Sequence, residues 1–461
     1  MIKNRAALEA TGEAASRRVV LDIVESTLRV LDARRIIHSL LRLEGGILRI
    51  GNRAWDLRTK RRVFVVGAGK AANAMAQGVE EVLGERITQG LVIVKRREPG
   101  DNLTRIELVT GGHPLPNQDG LAASRRLLEI AHRAATDDLF ISVISGGSSA
   151  LMNSPLPGIS LEDERQVTEA LLKSGARILE INAVRRHISA TNGGRLAKAI
   201  EDQGAEMINL IISDSLGARP TVEPAQPVCH YGTPVAPDGT TVQDARNALE
   251  KYGLSGRVPP AVVNFLRAAG PADETPKGFG ERIHHYVLER PANACEAASR
   301  AAAAMGLTSC VLTTVLEGES SAAGGFLACI AKEVGLNGRP APAPCLLIAG
   351  GETTTRIEGP CGEGGPSQEL ALGFALEAAG RRGVCLCALD TDGSDGPTEF
   401  AGGLVDGTSV ERARARGLDA CQALSAHDSS TVLRAAGDAV LTGNTGTNVC
   451  DLNLVYIEGA S

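Results

Sequence analysis

The chain has 461 residues and a formal net charge of −6, with 43% hydrophobic, 22% charged and 3% aromatic residues. This length exceeds that of one hydrophobic core and predicts two domains. The acidic balance and the scarcity of aromatic rings argue against a general nucleic-acid-binding protein, which needs a cationic surface and stacking platforms. Apolar runs stay well short of the length that spans a membrane, so we expect no membrane partner.

Cysteine usage and the amino-terminus bear on the cellular compartment. All ten cysteines lie after residue 228, with spacings that fit neither a zinc site nor a secreted disulfide framework. We expect buried free thiols, which are typical of a reducing compartment. Lys3 and Arg5 are followed by Glu9 and Glu13, without the apolar core of a signal peptide. We therefore expect a soluble, cytoplasmic protein.

Taken in chain order, the elements begin with a helix that has Val20, Val24 and Leu28 on one face. Helical spacing continues to Leu41, and residues 45–62 are predicted to be a turn. Apolar runs then predict buried strands at residues 63–66, 91–94, 107–110, 139–144 and 208–212. Strands that alternate with helices are typical of an α/β fold, in which ligands bind at the strand-to-helix turns.

A glycine turn follows the first of these strands. Gly67, Gly69 and Ala72 match a dinucleotide-binding fingerprint. The next strand, at residues 91–94, ends in basic residues where the fingerprint needs an acid, so NAD is disfavoured and NADP stays open. A lysine at a helix N-terminus is unfavourable unless an anion lies nearby, so we favour Lys70 as a lysine directed at phosphate.

The strand at residues 139–144 leads into a second loop of small residues. Its amides and hydroxyls, from Gly146, Gly147, Ser148 and Ser149, suit a phosphate or a carboxylate. An ordinary strand-to-helix turn is the alternative for this loop.

Charged residues farther along the chain are candidates for acceptor binding and catalysis. Arg185 and Arg186 are adjacent and point to different sides of their element, so at most one of them faces a ligand. Asp214 follows the strand at residues 208–212, at the sheet edge where α/β proteins build ligand sites. His113, beside a proline, is interpreted as a turn residue.

A polar, proline-containing stretch at residues 255–285 predicts the boundary between domains 1–285 and 286–461. The second domain is predicted to have strands near residues 310–315, 345–349, 384–389 and 453–457. The glycine-rich strand ends and helix starts here provide candidate nucleotide contacts at Gly351, Glu352 and Gln368. A carboxylate cluster after the third strand favours a Mg²⁺ site over a solvated turn, and its members are Asp390, Asp392 and Asp395.

In this order, the motifs of the chain resemble those of the glycerate 2-kinase family with its C-terminal MOFRL domain. The matching stretches are GAGKAA at 67–72, GGHP at 111–114, SGGSSAL at 145–151, NAVRRH at 182–187, GGRLA at 193–197, GGET at 350–353, DTDGSDG at 390–396 and TGTNVCDL at 445–452. The resemblance implies two Rossmann-like α/β/α domains with the active site in the cleft between them. It also implies phosphorylation of D-glycerate at its 2-hydroxyl, with ATP and Mg²⁺.

For such a kinase we predict specific roles. Lys70 is the transition-state cation, and the amides of residues 146–149 hold an anion. Asp214 or Asp392 serves Mg²⁺ or acts as the base, and Arg185 binds the carboxylate of the acceptor. The nucleotide contacts also include Gly67 and Gly69. The expected partner is a small hydroxy acid, and a homodimer is left open.

The chain departs from the family pattern at several positions. Where the family carries a Gly-Asp pair, Gly217 is followed by Ala218-Arg219, and residues 231–234 replace a Ser-Gly-Pro-Thr turn. Asn192 stands where lysine is common, and Pro366-Ser367 replaces an Arg-Asn or Pro-Asn pair. The missing acid and the altered turn within residues 214–234 predict that D-glycerate is a modest or non-preferred substrate beside a four- or five-carbon sugar acid, unless the loop drift is neutral. An NADP-dependent hydroxypyruvate reductase and a non-catalytic sugar-acid-binding module are the alternatives from other functional classes.

Overall fold

The computed structural model describes residues 2–216, 234–357 and 359–459. The chain divides into two compact units: the first comprises Met1–Asp32, Asp214–Gly217 and Glu289–Ser461, and the second Ala33–Ser213 and Ala218–Leu288. The predicted division at 285/286 differs from these units at the amino-terminus, whose residues belong to the unit of the C-terminal half. Most of the positions at which the chain departs from the family pattern, residues 218–219 and 231–233, lie outside the described residues.

Elements of the amino-terminal half alternate between helix and strand. In chain order they are α1 (Arg5–Glu9), α2 (Ala14–Val30), α3 (Ala33–Leu40), β1 (Leu41–Glu44), β2 (Ile47–Ile50), β3 (Arg53–Asp56), β4 (Arg62–Gly69), α4 (Ala72–Leu83), β5 (Gln89–Val94), β6 (Ile106–Thr110), α5 (Gln118–His132), β7 (Asp138–Ile144), α6 (Ser148–Leu151), α7 (Leu161–Lys173), α8 (Ile178–His187), α9 (Arg195–Glu201), β8 (Glu206–Ile212), α10 (Val242–Lys251), α11 (Pro260–Ala268) and β9 (Ile283–Glu289).

The carboxyl-terminal half continues with α12 (Pro291–Ala304), β10 (Thr308–Leu316), α13 (Ser320–Asn337), β11 (Cys345–Gly351), α14 (Pro366–Ala378), β12 (Val384–Asp390), β13 (Gly402–Asp406), α15 (Ser409–Ala415), α16 (Ala420–Ser425), α17 (Ser429–Ala436), β14 (Ala439–Val440) and β15 (Asp451–Ile457). The predicted strands of both halves are thus found, within a few residues of their predicted ends.

The main sheet of the second unit has the strand order β6-β5-β4-β7-β8-β9. Strands β4 to β8 pair in parallel, and β7 is buried along its whole length, as expected for a continuous apolar run covered on both faces. The core includes Phe64 and Phe140, whose rings stack with centroids 4.7 Å apart. A separate apolar cluster joins α7, α8, α10 and α11. The α/β class is therefore confirmed.

A small antiparallel sheet, in the order β1-β2-β3, precedes the main sheet of the second unit. The helical spacing predicted to continue to Leu41 is confirmed by α3, which ends at Leu40, but the turn predicted over residues 45–62 is wrong because β2 and β3 lie there. Leu48, Ile50 and Trp55 alternate with more exposed residues, which is the period-2 pattern of short strands. Strands of four residues are hard to predict from the sequence, because their formation depends on pairing with other strands.

The sheet of the first unit is mixed, with the strand order β10-β11-β15-β12-β13-β14. Only β10 and β11 pair in parallel, while the last strand, β15, lies antiparallel between β11 and β12. This differs from the parallel sheet of a Rossmann-like domain. A strand's direction within a sheet depends on its connections, which the apolar run at residues 453–457 does not encode.

Helix α2 packs on this mixed sheet, against β12 and β15. Arg17 has no exposed surface, and its guanidinium forms ion pairs with Asp406 and Asp438. Buried charges need such partners because they have left water. Within the described ranges, no helix is long and apolar enough to cross a membrane.

Candidate active site

Two loops lie side by side at the carboxyl edge of the second unit's sheet. One follows β4 and contains Lys70; the other, the serine–glycine loop of residues 145–149, follows β7, which pairs with β4. The amide of Lys70 donates to the carbonyl of Gly146 over 2.9 Å, and the amide of Ala71 donates to Ser145 Oγ over 2.9 Å. The structure therefore brings Lys70 to the serine–glycine loop, as the kinase prediction requires.

Close backbone approach explains the glycines of these loops. A Cβ on Gly69, which has φ +147°, would lie 2.0 Å from Ser145 Oγ. A Cβ on Gly147, which has φ +81°, would lie 2.9 Å from the His113 ring and 3.4 Å from Lys70 Cγ. His113 and Lys70 therefore flank the serine–glycine loop, and their approach leaves no room for a side chain at Gly147.

Gly67 has a different explanation. A Cβ at this position would lie 2.1 Å from the carbonyl oxygen of Val143 on the neighbouring strand. Gly351 in the first unit is similar, because a Cβ there would lie 2.2 Å from the backbone of Leu316. Strand packing therefore accounts for both glycines, and their predicted contact with a nucleotide stays a prediction.

The two arginines near the end of α8 have different surroundings. Arg186 Nη1 forms an ion pair with Asp238 Oδ1 over 3.0 Å, with both side chains buried. Arg185 is also buried, but its Nε and Nη2 have no hydrogen-bond partner among the described residues. Burial lowers the pKa of Arg185, which the charge of Glu164 opposes. Of the two, Arg185 is therefore the one available to a ligand.

Acidic side chains of the first unit gather around Cys450. Its thiol donates to the carbonyl of Asp214 over 2.7 Å and lies 3.9 Å from Glu352 Oε2. Asp390 and Asp451 are partners in adjacent antiparallel strands. The pKa of Cys450 is raised well above its usual value by burial and by the negative charges of these four acids. We call Asp214, Glu352, Asp390 and Asp451 the acidic group.

The acidic group has the donor chemistry that Mg²⁺ prefers. The pKa of Asp451 is raised well above its usual value by burial and by the charges of Asp390 and Glu352. A cation near these carboxylates would relieve their mutual repulsion. Across the described ranges, no three His, Cys, Asp or Glu side chains are already arranged as a metal site.

Asp392 and Asp395 follow β12 and have different surroundings. Asp392 Oδ1 accepts from the amide and hydroxyl of Ser394, within the turn of residues 392–394. Asp395 accepts from the amides of Ser367 and Gln368, the first turn of α14. Its carboxylate therefore caps α14. We expect Asp395 to act as a helix cap rather than a metal ligand.

Gln368, predicted to contact the nucleotide, is fully buried. Its Nε2 donates to Asp395 Oδ2 over 3.1 Å and to Thr398 Oγ1 over 2.9 Å, and its Oε1 accepts from Ser430. The side chain thus has its hydrogen-bonding capacity satisfied inside the unit. A role in holding α14 on the loop after β12 explains Gln368 better than nucleotide contact.

Several residues beside the serine–glycine loop, in the acidic group or next to Arg185 are not predicted from the sequence as site residues. His113 is interpreted from the sequence as a turn residue, yet it contacts the serine–glycine loop. Asn192 donates to the carbonyl of Ser149 over 3.0 Å. Asp451 lies in the acidic group, and its signal is an acid at the start of a buried strand. Glu164 is buried beside Arg185 within a helix whose pattern looks ordinary.

Comparisons with known proteins identify the family of this chain. The family described as a domain of unknown function (DUF4147) matches residues 19–267, and the MOFRL family matches residues 345–451. The chain is 37% identical to a glycerate 2-kinase of Pyrococcus horikoshii, over 96% of this chain and 97% of that protein. It is 39% identical to a D-glycerate 2-kinase of Thermotoga maritima, over 85% and 89% respectively.

A solved structure is also similar. The crystal structure of a glycerate kinase from Thermotoga maritima superposes with a TM-score of 0.78 and 35% identity, covering 97% of this chain and 100% of that one. The family predicted from the motifs is confirmed, since similarity at this level extends over both units. The protein belongs to the glycerate 2-kinase family, with a MOFRL domain in its carboxyl-terminal half.

Proposed function

We propose that this protein transfers the γ-phosphate of ATP to the 2-hydroxyl of D-glycerate, releasing ADP and 2-phospho-D-glycerate. Relatives named glycerate 2-kinase span nearly the whole chain. The single structural observation that carries the proposal is the backbone hydrogen bond from the Lys70 amide to the Gly146 carbonyl, which holds Lys70 beside the serine–glycine loop at the ends of two parallel strands. Phosphate and carboxylate groups are the ligands that such an edge suits.

Phosphoryl transfer asks the protein mainly for alignment and charge stabilisation. In this proposal Lys70 neutralises charge that develops on the transferred phosphoryl group, and the amides of residues 146–149 orient its oxygens. Arg185 holds the carboxylate of the acceptor. The acidic group and Asp392 would hold Mg²⁺, which would supply positive charge to stabilise the phosphate oxygens.

The acidic group and Asp392 are the candidates for Mg²⁺ and for proton removal from the acceptor. Asp214 accepts from Asn448 Nδ2 over 3.3 Å, which orients its carboxylate. An ionised aspartate with a fixed orientation suits a base that accepts the hydroxyl proton. Asp392 keeps one oxygen in its turn, and we propose it as an additional Mg²⁺ contact.

The reductase alternative has little support. Strand β5 ends at Val94, and the next three residues are basic rather than the acid that would bind a ribose. Arg96, part of the basic run that kept NADP open, forms an ion pair with Glu98 over 2.6 Å. The regulatory-module alternative and the cytoplasmic localisation stay predictions, as does the homodimer.

Two assays on one preparation test the proposed function. The first follows ADP release with ATP, Mg²⁺ and D-glycerate, and identifies the product by its conversion with enolase, which consumes 2-phosphoglycerate but not 3-phosphoglycerate. The second follows oxidation of NADH or NADPH with hydroxypyruvate. We expect ADP release and no nicotinamide oxidation. Nicotinamide oxidation without ADP release would replace the kinase with the reductase, and inactivity in both assays would favour a binding module.

A further inference from the structure

A group of buried polar side chains lies beside the serine–glycine loop in the second unit. Glu164 on α7 has no exposed surface, Arg185 on α8 is 9% exposed, and Asn153 and Asn192 are each 1% exposed. Asn192 connects the group to the loop, since its Nδ2 donates to the carbonyl of Ser149. We call Asn153, Glu164, Arg185 and Asn192 the polar recess.

Contacts link the members of the polar recess. Ser189 Oγ donates to Asn153 Oδ1 over 3.0 Å and lies 3.3 Å from Asn192 Nδ2. Asn153 in turn approaches the Glu164 carboxyl, although not with the geometry of a full hydrogen bond. Burial raises the pKa of Glu164 to about 7, and the charge of nearby Arg185 opposes that rise. The four side chains therefore lie close to one another. Asn192 contacts the loop directly, whereas Glu164 is linked to it through Asn153, Ser189 and Asn192.

Many polar atoms of the recess are buried without a partner among the described residues. They are Asn153 Nδ2, both carboxylate oxygens of Glu164, Arg185 Nε and Nη2, and Asn192 Oδ1. Buried polar groups in proteins are almost always hydrogen-bonded, and unpaired buried charges are strongly unfavourable. Neighbouring Arg186, at the same end of α8, does have an aspartate partner. A polar ligand is therefore expected at the recess.

The unpaired atoms have the donors and acceptors that a hydroxy acid requires. A guanidinium binds a carboxylate through parallel N–H donors. The oxygens of Glu164 and Asn192 accept hydrogen bonds from hydroxyl groups. Resting on the proposed function, we propose that the polar recess binds the acceptor, with Arg185 on its carboxylate and Glu164 as a specificity-determining residue that accepts from a hydroxyl group.

In this assignment, each hydroxyl group of the bound hydroxy acid has its own position relative to the serine–glycine loop. The 2-hydroxyl is the group that receives phosphate, so it faces the serine–glycine loop on the Asn192 side. Glu164, at the other end of the contact chain, then meets the 3-hydroxyl of D-glycerate. D-lactate has the same carboxylate and 2-hydroxyl but lacks the 3-hydroxyl. The recess therefore distinguishes D-glycerate from D-lactate through Glu164.

Calorimetric titration of the full chain with D-glycerate and with D-lactate, without nucleotide, tests this assignment. We expect the wild-type protein to bind D-glycerate more tightly. Glu164→Gln, which keeps the side-chain volume, should weaken D-glycerate binding about tenfold to hundredfold and change D-lactate binding less than about threefold, because one hydrogen bond to a charged acceptor is replaced. Arg185→Lys should weaken binding of both acids.

Glu289→Gln is the matched control. Glu289 is another glutamate whose pKa burial raises to about 7, and its Oε2 also has no partner among the described residues, but it lies in the first unit. This variant should bind both acids as the wild type does. Thermal melting of each variant shows whether it is folded.

Several outcomes would overturn the assignment. An equal loss for both acids in Glu164→Gln would mean that Glu164 acts only on the fold, and unchanged binding would mean that water fills the recess. A wild-type protein that binds neither acid would also exclude it. Selective binding lost in Glu164→Gln, with no ADP release in the kinase assay, would reject the proposed function while the recess assignment stands.

Discussion

The backbone amide of Lys70 donates to the carbonyl of Gly146 over 2.9 Å, which joins the turn after β4 to the serine–glycine loop after β7. Lys70 Cγ also flanks Gly147, so the lysine side chain starts beside the loop amides. A cation so close to a helix N-terminus is unfavourable by itself. We predict that the lysine and the loop bind one anion together.

Lys70→Ala should lower kcat by about 10²–10³-fold, because one preorganised charge on the transferred phosphoryl group is lost. Its melting temperature should stay the same or rise slightly, since lysine at a helix N-terminus costs about 0.3–1 kcal/mol. Steady-state ADP release and thermal melting measure the two effects. Lys198→Ala is the control, because this lysine forms ion pairs with Glu201 and Asp202 at the end of α9. A variant with near-normal turnover and a much lower melting temperature would make Lys70 a structural residue.

Removal of Mg²⁺ with EDTA should abolish ADP release, and added Mg²⁺ should restore it. Asp392→Asn should raise the Mg²⁺ concentration for half-maximal activity at least about tenfold, because one anionic oxygen is lost from the proposed site. Asp395→Asn should leave this concentration unchanged, since Asp395 caps α14. Kinetic titration with Mg²⁺ measures both. The reverse result would restore Asp395 as the metal ligand.

The acceptor range should show whether the family departures at residues 218–219 and 231–233 alter specificity. If they do, kcat/KM for erythronate or threonate will exceed that for D-glycerate, because a site built for one set of hydroxyls rejects analogues that lack them. Comparison of kcat/KM over three-, four- and five-carbon hydroxy acids makes the measurement. A clear optimum at D-glycerate would show that the departures are neutral for specificity.

Glu206 should contribute stability that depends on pH. Burial tends to raise its pKa, but hydrogen bonds from His284, Lys60 and Trp55 outweigh burial and lower the pKa to about 2. A carboxyl with a depressed folded-state pKa stabilises the protein above its unfolded-state pKa, and that contribution is lost as pH falls from about 4.5 to about 2. Glu206→Gln should therefore lower the free energy of unfolding at pH 7, on the order of 1–3 kcal/mol.

Urea unfolding at pH 7 and at pH 3 measures the difference between Glu206→Gln and the wild type, which should shrink at the lower pH. Glu85→Gln is the control, because the side chain of Glu85 is 95% exposed and its nearest cation is 3.8 Å away. A difference that grows as pH falls would contradict the depressed pKa.

Arg17→Met should destabilise the first unit by about 3–5 kcal/mol, because Asp406 and Asp438 would be left buried without this partner. Arg18→Met, at the next position, should change stability by less than about 0.5 kcal/mol, since Arg18 is 61% exposed. Thermal and urea unfolding of the two variants make the comparison. Equal effects would show that the Arg17 network adds no net stability.

Local patterns in the sequence were sufficient for the strands and the glycine loops. Strand β7 has five apolar residues between Leu139 and Ile144 and is buried in the structure. Small residues follow it because the neighbouring turn comes close. Lys70 was predicted from its position at a helix start, and the structure adds its bond to Gly146. These features depend on residues close in sequence, so periodicity and residue size are enough to predict them.

Contacts between distant parts of the chain decided the partners of the charged residues. Arg17 meets Asp406, which lies 389 residues away, and no local pattern indicates that pairing. The acids after β12 look alike in sequence, yet only Asp395 reaches the first turn of α14 and becomes a cap. Arg185 and Arg186 are likewise equivalent in sequence until Asp238 pairs with one of them. The tertiary structure decides such roles because each depends on which partner desolvates or neutralises a charge.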